Sequence, residues 1–165
     1  IGNGIGPVLE MRDVLSVLDN NGPEDLEYKS LTLACKLLEL TKKAKKGEGI
    51  EFARGILRSG QAYDKFVEIV RAQKGRIKKL REGRFSYDVM AKKDCRLVSI
   101  DNKKLNTLAR IAGSPIDKGA GIYLWKNKGD KIKKNANILT IYAESRHNLN
   151  DAIRFLKILN PTKVC

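Results

Sequence analysis

Apolar residues recur at helical spacing through the first half of the chain and at alternate positions through much of the second. In residues 8–19, Val8, Leu9, Met11 or Val14, Leu15 and Leu18 fall on one face, which predicts an amphipathic helix. Asn20-Asn21-Gly22-Pro23 ends it. Residues 24–40 carry Leu26, Leu31, Leu33, Ala34, Leu37, Leu38 and Leu40, a face broad enough for burial over much of the circumference. Glu24, Asp25 and Glu27 suit the start of that helix and Lys42, Lys43, Lys45 and Lys46 its end, because the helix dipole favours those signs there. After the loop Gly47-Glu48-Gly49, residues 50–59 and 61–73 predict two more helices, divided by Gly60 and closed by Gly75. Four helices on short loops pack as a bundle or cover one face of a sheet.

The period changes near residue 76. A basic, exposed linker, GRIKKLREG, leads into a segment where Phe85, Tyr87 and Val89 alternate with polar residues. Residues 96–100, 122–125 and 138–142 read as further strands, and Ile132 stands alone. A helix is predicted over 103–112, capped by Asp101-Asn102 and stopped by Gly113-Ser114-Pro115. A second helix over 148–159 ends before Pro161. Trp125, at the end of an alternating strand, reads as core. The order strand–helix–strand–strand–helix is that of an α+β domain.

One stretch lies outside both periods. In IGNGIGPVLE, Gly2, Gly4 and Gly6 recur at every second position, followed by Pro7 at the start of the first helix. Three uses fit a glycine loop that feeds a helix. Its N–H groups could serve an anion. Its carbonyls, with the Glu10 carboxylate, could hold a hard cation. Or it is a tight turn that packs the helix against a sheet. No strand precedes these glycines and the chain opens on Ile1, so the expectation is a C-terminal piece of a larger protein whose sheet lies upstream. No signal peptide is visible.

Composition adds limits. With 42% hydrophobic and 32% charged residues in 165, the chain is globular. No apolar run is long enough for a membrane helix. Three scattered cysteines, Cys35, Cys95 and Cys165, without CxxC spacing, argue against a disulfide framework or zinc site and for a reducing, cytoplasmic setting. Cys35 reads as core. The formal net charge of +14 attracts phosphate in any form. The basic residues, however, fall in separate clusters, and the 6% of aromatics seldom interleave with them, unlike a platform for single-stranded nucleic acid. A basic nucleic-acid-binding module is therefore the rival reading. His147 is the only histidine, which excludes a His-pair metal site, and it reads as a surface or capping residue. Asp13 and Asp19 fall on the polar face of the first helix. Tyr28 and Lys29 read as a solvated face. No catalytic constellation is seen.

Several segments together resemble the thymidine and pyrimidine-nucleoside phosphorylase family. GNGIGPVLEMRDVLSVL followed by GPEDLEYKSLTLACKLLEL matches its glycine-rich loop, LEV or LEA segment, variable turn and helix-opening GP. RSGQAYDKFVEIVRAQKG is similar to its later SGKA…KF…AQGG segment, and LVSIDNKKLNTLARIAGSPIDKGAGIYLWKNKGDKIKKNANILTIYA to its C-terminal domain. GIGP in place of G-x-G-N, with the abundant lysine, looks most like the archaeal AMP phosphorylase branch. The resemblance implies that residues 1–76 are the last helices of the phosphorylase α/β domain, packed on the sheet of an upstream part. It makes 77–83 a linker and 84–165 a C-terminal α+β half-barrel. GDKIKKNANILTIYA is also similar to a biotinyl/lipoyl hammerhead turn, but no lysine-bearing carrier hairpin accompanies it. The implied activity of the parent is phosphorolysis of an N-glycosidic bond: AMP with phosphate to adenine and ribose 1,5-bisphosphate, or the equivalent cleavage of thymidine. Phosphate is co-substrate and no organic cofactor is implied. The family's phosphate- and base-binding residues lie before the glycine loop, so no catalytic or cofactor-binding residue transfers, and the piece alone is expected to be inactive. A structural monovalent cation is implied near the loop, with Glu10 and the backbone carbonyl of Ile1 as its matching ligands; Pro7 departs from the family pattern there. The implied parent is a homo-oligomer without a membrane or nucleic-acid partner.

Overall fold

The computed structural model describes residues 1–165. The chain forms two compact units, one of Ile1–Gly2 and Arg12–Lys79, the other of Asn3–Met11 and Leu80–Cys165. It is an α+β protein with six helices and two antiparallel sheets. The boundary between Lys79 and Leu80 falls within the segment read as a basic linker. The glycine stretch, within Asn3–Met11, groups with the C-terminal residues.

Helix α1 (Pro7–Leu18) is shared between the units. Its buried positions are Leu9, Asp13 and Val17, one above another at i, i+4 and i+8. This corrects the placement of Asp13 on a solvated face: only 2% of it is exposed. The apolar periodicity pointed elsewhere because a carboxylate occupies the middle of the buried stripe. The helical unit continues with α2 (Glu24–Leu40), α3 (Gly49–Arg58) and α4 (Gln61–Ala72), close to the predicted bounds. Val17, Leu31, Ala53 and Leu57 form its core, flanked by Leu26, Ala34, Leu38, Ile50 and Ala62. On α2 only Leu31 is buried, and Leu37 and Leu40 remain 63% and 78% exposed. Much of the broad apolar face thus stays uncovered. An apolar cleft of about 440 Å³ lies in this unit, lined by Val14, Leu26, Leu37, Leu38, Ile56 and Ala62 among others.

The second unit holds both sheets. Strands β1 (Gly4–Ile5), β2 (Phe85–Met90), β4 (Gly121–Leu124) and β6 (Asn137–Ala143) form a four-stranded sheet in the order β1-β4-β6-β2. Side chains alternate faces along a strand, so Ile122 and Leu124 stand beside Ile141 and Leu139. Helices α5 (Asn102–Ile111) and α6 (Arg146–Ile158) cover that face with Leu105, Leu108, Ala152 and Leu156. Each leucine so buried contributes about 1.5–3 kcal/mol. Asp101 caps α5, accepting from the Lys103 and Lys104 N–H groups at 3.1 Å. Ser145 caps α6 by accepting from Asn148 N–H at 3.1 Å, so this helix begins two residues before the predicted 148.

The smaller sheet is β5-β3-β7, built from β3 (Cys95–Ile100), β5 (Lys131–Ile132) and β7 (Thr162–Val164). Leu97 and Ile132 turn inward with Ala91 and Ile138. Arg96 lies directly opposite Lys131 on the outer face, a like-charge pair that weakens the ladder. Neither sheet closes into a barrel. Trp125, read as core, is 43% exposed because β4 ends at Leu124. Its ring packs edge-on to Tyr123 at 4.7 Å, and its indole N–H donates to Thr140 Oγ1 at 2.8 Å.

Two substitutions test this packing by urea denaturation. Leu105→Ala empties a fully buried position and is expected to cost about 2–5 kcal/mol. Lys131→Glu turns the pair with Arg96 attractive and should gain about 0.2–1 kcal/mol, an increment that falls with added salt.

Candidate functional site

The glycine stretch is a strand and a turn. Gly4 pairs with Tyr123 and Ile5 with Ile122, in antiparallel register with β4. Leu124 N–H extends the ladder to the Asn3 carbonyl at 2.9 Å. The chain then reverses at Gly6 into α1. A Cβ at Gly4 would sit 2.4 Å from the backbone carbon and oxygen of Leu9. Gly6 has φ +126°, and a Cβ there would stand 2.4 Å from the Ala120 carbonyl oxygen. Both positions need glycine because backbone passes against backbone.

The start of α1 is largely satisfied from within. Pro7 has no N–H to leave unpaired. Val8 N–H donates to the Lys118 carbonyl at 3.1 Å. The Glu10 carboxylate reaches back one turn, its Oε1 accepting from Gly6 N–H at 3.0 Å, while Glu10 N–H donates to the Gly6 carbonyl at 2.8 Å. This reciprocal arrangement works like a capping box. Of the three uses open to the loop, the tight turn that packs helix against sheet is the one this geometry performs.

The two expected cation ligands fall in different units, Glu10 in the second and Ile1 in the first. Ile1 is 77% exposed, and its ammonium group lies 3.9 Å from Asp25 Oδ2. Glu10 is engaged with Gly6 as described. No cluster of three or more His, Cys, Asp and Glu side chains is placed to hold a metal ion. His147 forms an exposed i, i+4 pair with Asp151, Nε2 to Oδ2 at 3.3 Å. Tyr28 is 71% exposed on α2.

Sequence reasoning passed over Glu39. Its Oε1 accepts from Gly47 N–H at 2.8 Å, from Gly49 N–H at 3.4 Å and from the Cys35 thiol at 3.5 Å. One carboxylate so closes the loop between α2 and α3. The Gly47 hydrogen bond holds Glu39 below the usual carboxylate range. Burial and the neighbouring carboxylate push the Cys35 thiol up, which makes it a poor nucleophile. The signal was a glutamate on the last helical turn with glycines eight and ten residues on, the small residues through which loop N–H groups can reach a carboxylate. In the second unit Asp94 does similar work: it takes Lys133 Nζ at 2.9 Å and Lys134 N–H at 2.8 Å, and the Lys133 bond lowers its pKa. Both carboxylates are thereby committed to holding loops.

Residues 97–160 match the family model described as the pyrimidine nucleoside phosphorylase C-terminal domain. A protein of Legionella pneumophila (strain Corby), named provisionally as a thymidine phosphorylase, is 42% identical over 159 residues, 95% of this chain and 31% of its own length. An AMP phosphorylase of Methanosarcina barkeri is 40% identical over 169 aligned residues, 99% of this chain and 33% of its own length. A Bradyrhizobium diazoefficiens protein, again named provisionally as a thymidine phosphorylase, is 44% identical over 153 residues, 90% of this chain and 30% of its own. The chain spans about a third of the length of the curated relatives it matches.

Two predictions come from the turn and the loop. Gly4→Ala and Gly6→Ala should each lower the thermal midpoint, since backbone rather than a flexible side chain stands in the way; a midpoint equal to that of the parent would show that the turn relaxes freely. For Glu39 the folded pKa is depressed, so its contribution is complete above the ordinary carboxylate pKa of about 4.3 and is lost as pH falls through the folded value. Glu39→Gln should therefore destabilise the helical unit at pH 7 and remove part of the acid-side decline, as read by helical circular dichroism against pH.

Proposed function

Because this chain belongs to the thymidine and pyrimidine-nucleoside phosphorylase family, we propose that it is the C-terminal third of an enzyme that cleaves an N-glycosidic bond with phosphate. The observation that carries this reading is the identity of about 40% over nearly the whole chain to proteins named as phosphorylases. The reaction is AMP with phosphate to adenine and ribose 1,5-bisphosphate, or thymidine with phosphate to thymine and the sugar 1-phosphate.

Such a reaction needs a phosphate cradle, stabilisation of an oxocarbenium-like centre and a proton for the departing base. The chain's own groups are engaged otherwise. Glu39 and Asp94 hold loops, Glu10 closes the α1 turn and His147 pairs with Asp151 on an open helix face. The chain's part in the enzyme is accordingly architectural. The turn at Gly6 anchors the helix that follows the glycines, and the α+β unit serves domain closure or assembly. The uncovered apolar face of α2 suits packing against the upstream part of the polypeptide. The enzyme works in the cytoplasm as a homo-oligomer, and nothing in this reading runs through a bound cation.

The test is phosphate-dependent release of base, from AMP and from thymidine in parallel, by this chain alone and by the polypeptide of the complete reading frame. The chain is expected to be inactive and the longer polypeptide active on one of the two substrates. A longer polypeptide that releases base from neither would refute the proposal. Deleting residues 84–165 from it should change its sedimentation or its KM and kcat; unchanged values would remove the architectural role.

A further inference from the structure

The small sheet gathers basic residues that lie far apart in the sequence. Arg96 of β3 stands directly opposite Lys131 of β5, and on the other flank of β3 Lys163 of β7 stands opposite Ser99. The turn that carries Lys128 is tied to the same strand, Gly129 N–H donating to the Leu97 carbonyl at 2.7 Å and Leu97 N–H to the Asp130 carbonyl at 3.0 Å. Lys134 is brought alongside by its N–H, which donates to Asp94 Oδ1 at 2.8 Å. Arg96, Lys128, Lys131, Lys134 and Lys163 are all exposed. The carboxylates among them are committed elsewhere: Asp94 pairs with Lys133 at 2.9 Å, and Asp130 Oδ2 accepts from Asn127 N–H at 2.8 Å.

We propose that this face binds the phosphate backbone of a nucleic-acid duplex. The Arg96–Lys131 pair weakens the ladder while no anion is bound, and a phosphate lying over both cations turns that repulsion into attraction. A protein partner fits less well: interface cores are depleted of lysine, and of the exposed large apolar side chains only Val98 and Val164 belong to this sheet. A single strand also fits less well, because β3, β5 and β7 carry no aromatic residue for bases to stack on. A duplex needs neither. It presents closely spaced charges on its outside, and lysine and arginine hold them without reading the base sequence. The formal net charge of +14 steers the approach. The clusters Lys92–Arg96 and Lys126–Lys134, separate in the sequence, become one surface with Lys163 through strand pairing.

Fluorescence anisotropy of a labelled DNA duplex of about 20 base pairs, titrated with the 165-residue chain, tests this independently of any catalytic reading. Saturable binding is expected at roughly 50 mM salt, with the logarithm of the affinity falling linearly as the logarithm of salt rises. The triple variant Arg96→Gln, Lys131→Gln, Lys163→Gln should bind roughly tenfold or more weakly, and its salt slope should shrink by about one for each phosphate contact removed. The triple variant Lys42→Gln, Lys43→Gln, Lys45→Gln removes the same charge from the helical unit and should leave affinity and slope as they are. Lys131→Glu alone, expected to stabilise the fold, should weaken binding, so that loss of affinity there is not loss of structure. A wild-type chain that leaves the duplex free overturns the proposal. So do equal losses in the two triple variants, which assign the attraction to net charge alone, and undiminished binding by Lys131→Glu. A polyglutamate peptide of matched charge that binds as tightly as the duplex overturns it too, and assigns the face to an acidic protein.

Discussion

At Gly4 and Gly6 two stretches of backbone come so near that no side chain can stand between them, and much of the second unit depends on that approach. Strand β1 has only two residues, too short to hold by its own hydrogen bonds. It stays because Ile5 packs against the core under α5 and α6 and because Leu9, fully buried, follows at once on the helix. Its partners, Ile122 and Tyr123, lie far along the chain. Contacts of such separation carry a loop-closure cost before they give any return. The glycine turn is accordingly expected to order late, after the local strands and helices of residues 80–165.

Charge is handled with similar economy. A strongly basic chain has few carboxylates, and several of them are engaged with backbone amides. Glu10, Glu39, Asp94 and Asp101 each accept at least one N–H from a turn or helix start. In those roles a carboxylate is useful while ionised, and the hydrogen bonds that Glu39 and Asp94 accept lower their pKa. A general acid needs the opposite, a carboxyl raised toward neutrality by burial or a like charge. The distribution of acids therefore describes a scaffold, in keeping with the architectural part proposed for this third of the polypeptide.

Much of the fold was legible because period and punctuation agreed. Helix α2 was read at its observed bounds, and Asp101 was read as a cap, since leucine spacing and a capping aspartate are local signals. The alternation in Phe85, Tyr87 and Val89 gave β2. Strands β1, β5 and β7 were missed as strands for physical reasons. Two or three residues cannot show a period, and the first of them contains glycine, which has no side chain to alternate. Asp13 and Trp125 were misplaced because polarity was taken as a guide to exposure at positions where tertiary packing overrode it. At the glycine turn the sequence pointed to the right residues with three uses open. That Gly6 and Glu10 satisfy each other and that Val8 is taken by Lys118 depends on tertiary placement, which no local pattern encodes.

The comparisons sharpen what this region can encode. Relatives named for two different substrates, a nucleoside and a nucleotide, match it at 42% and 40% identity over almost the same span. Had these residues chosen between the substrates, one set of names should stand apart from the other. The requirements visible here are of another kind: glycines where backbones touch, caps where helices start, leucines where sheets are covered. Those requirements are indifferent to which of the two named substrates a relative takes. On the proposed reading, the choice of substrate rests on groups outside this chain, and the chain contributes the frame in which such groups are held.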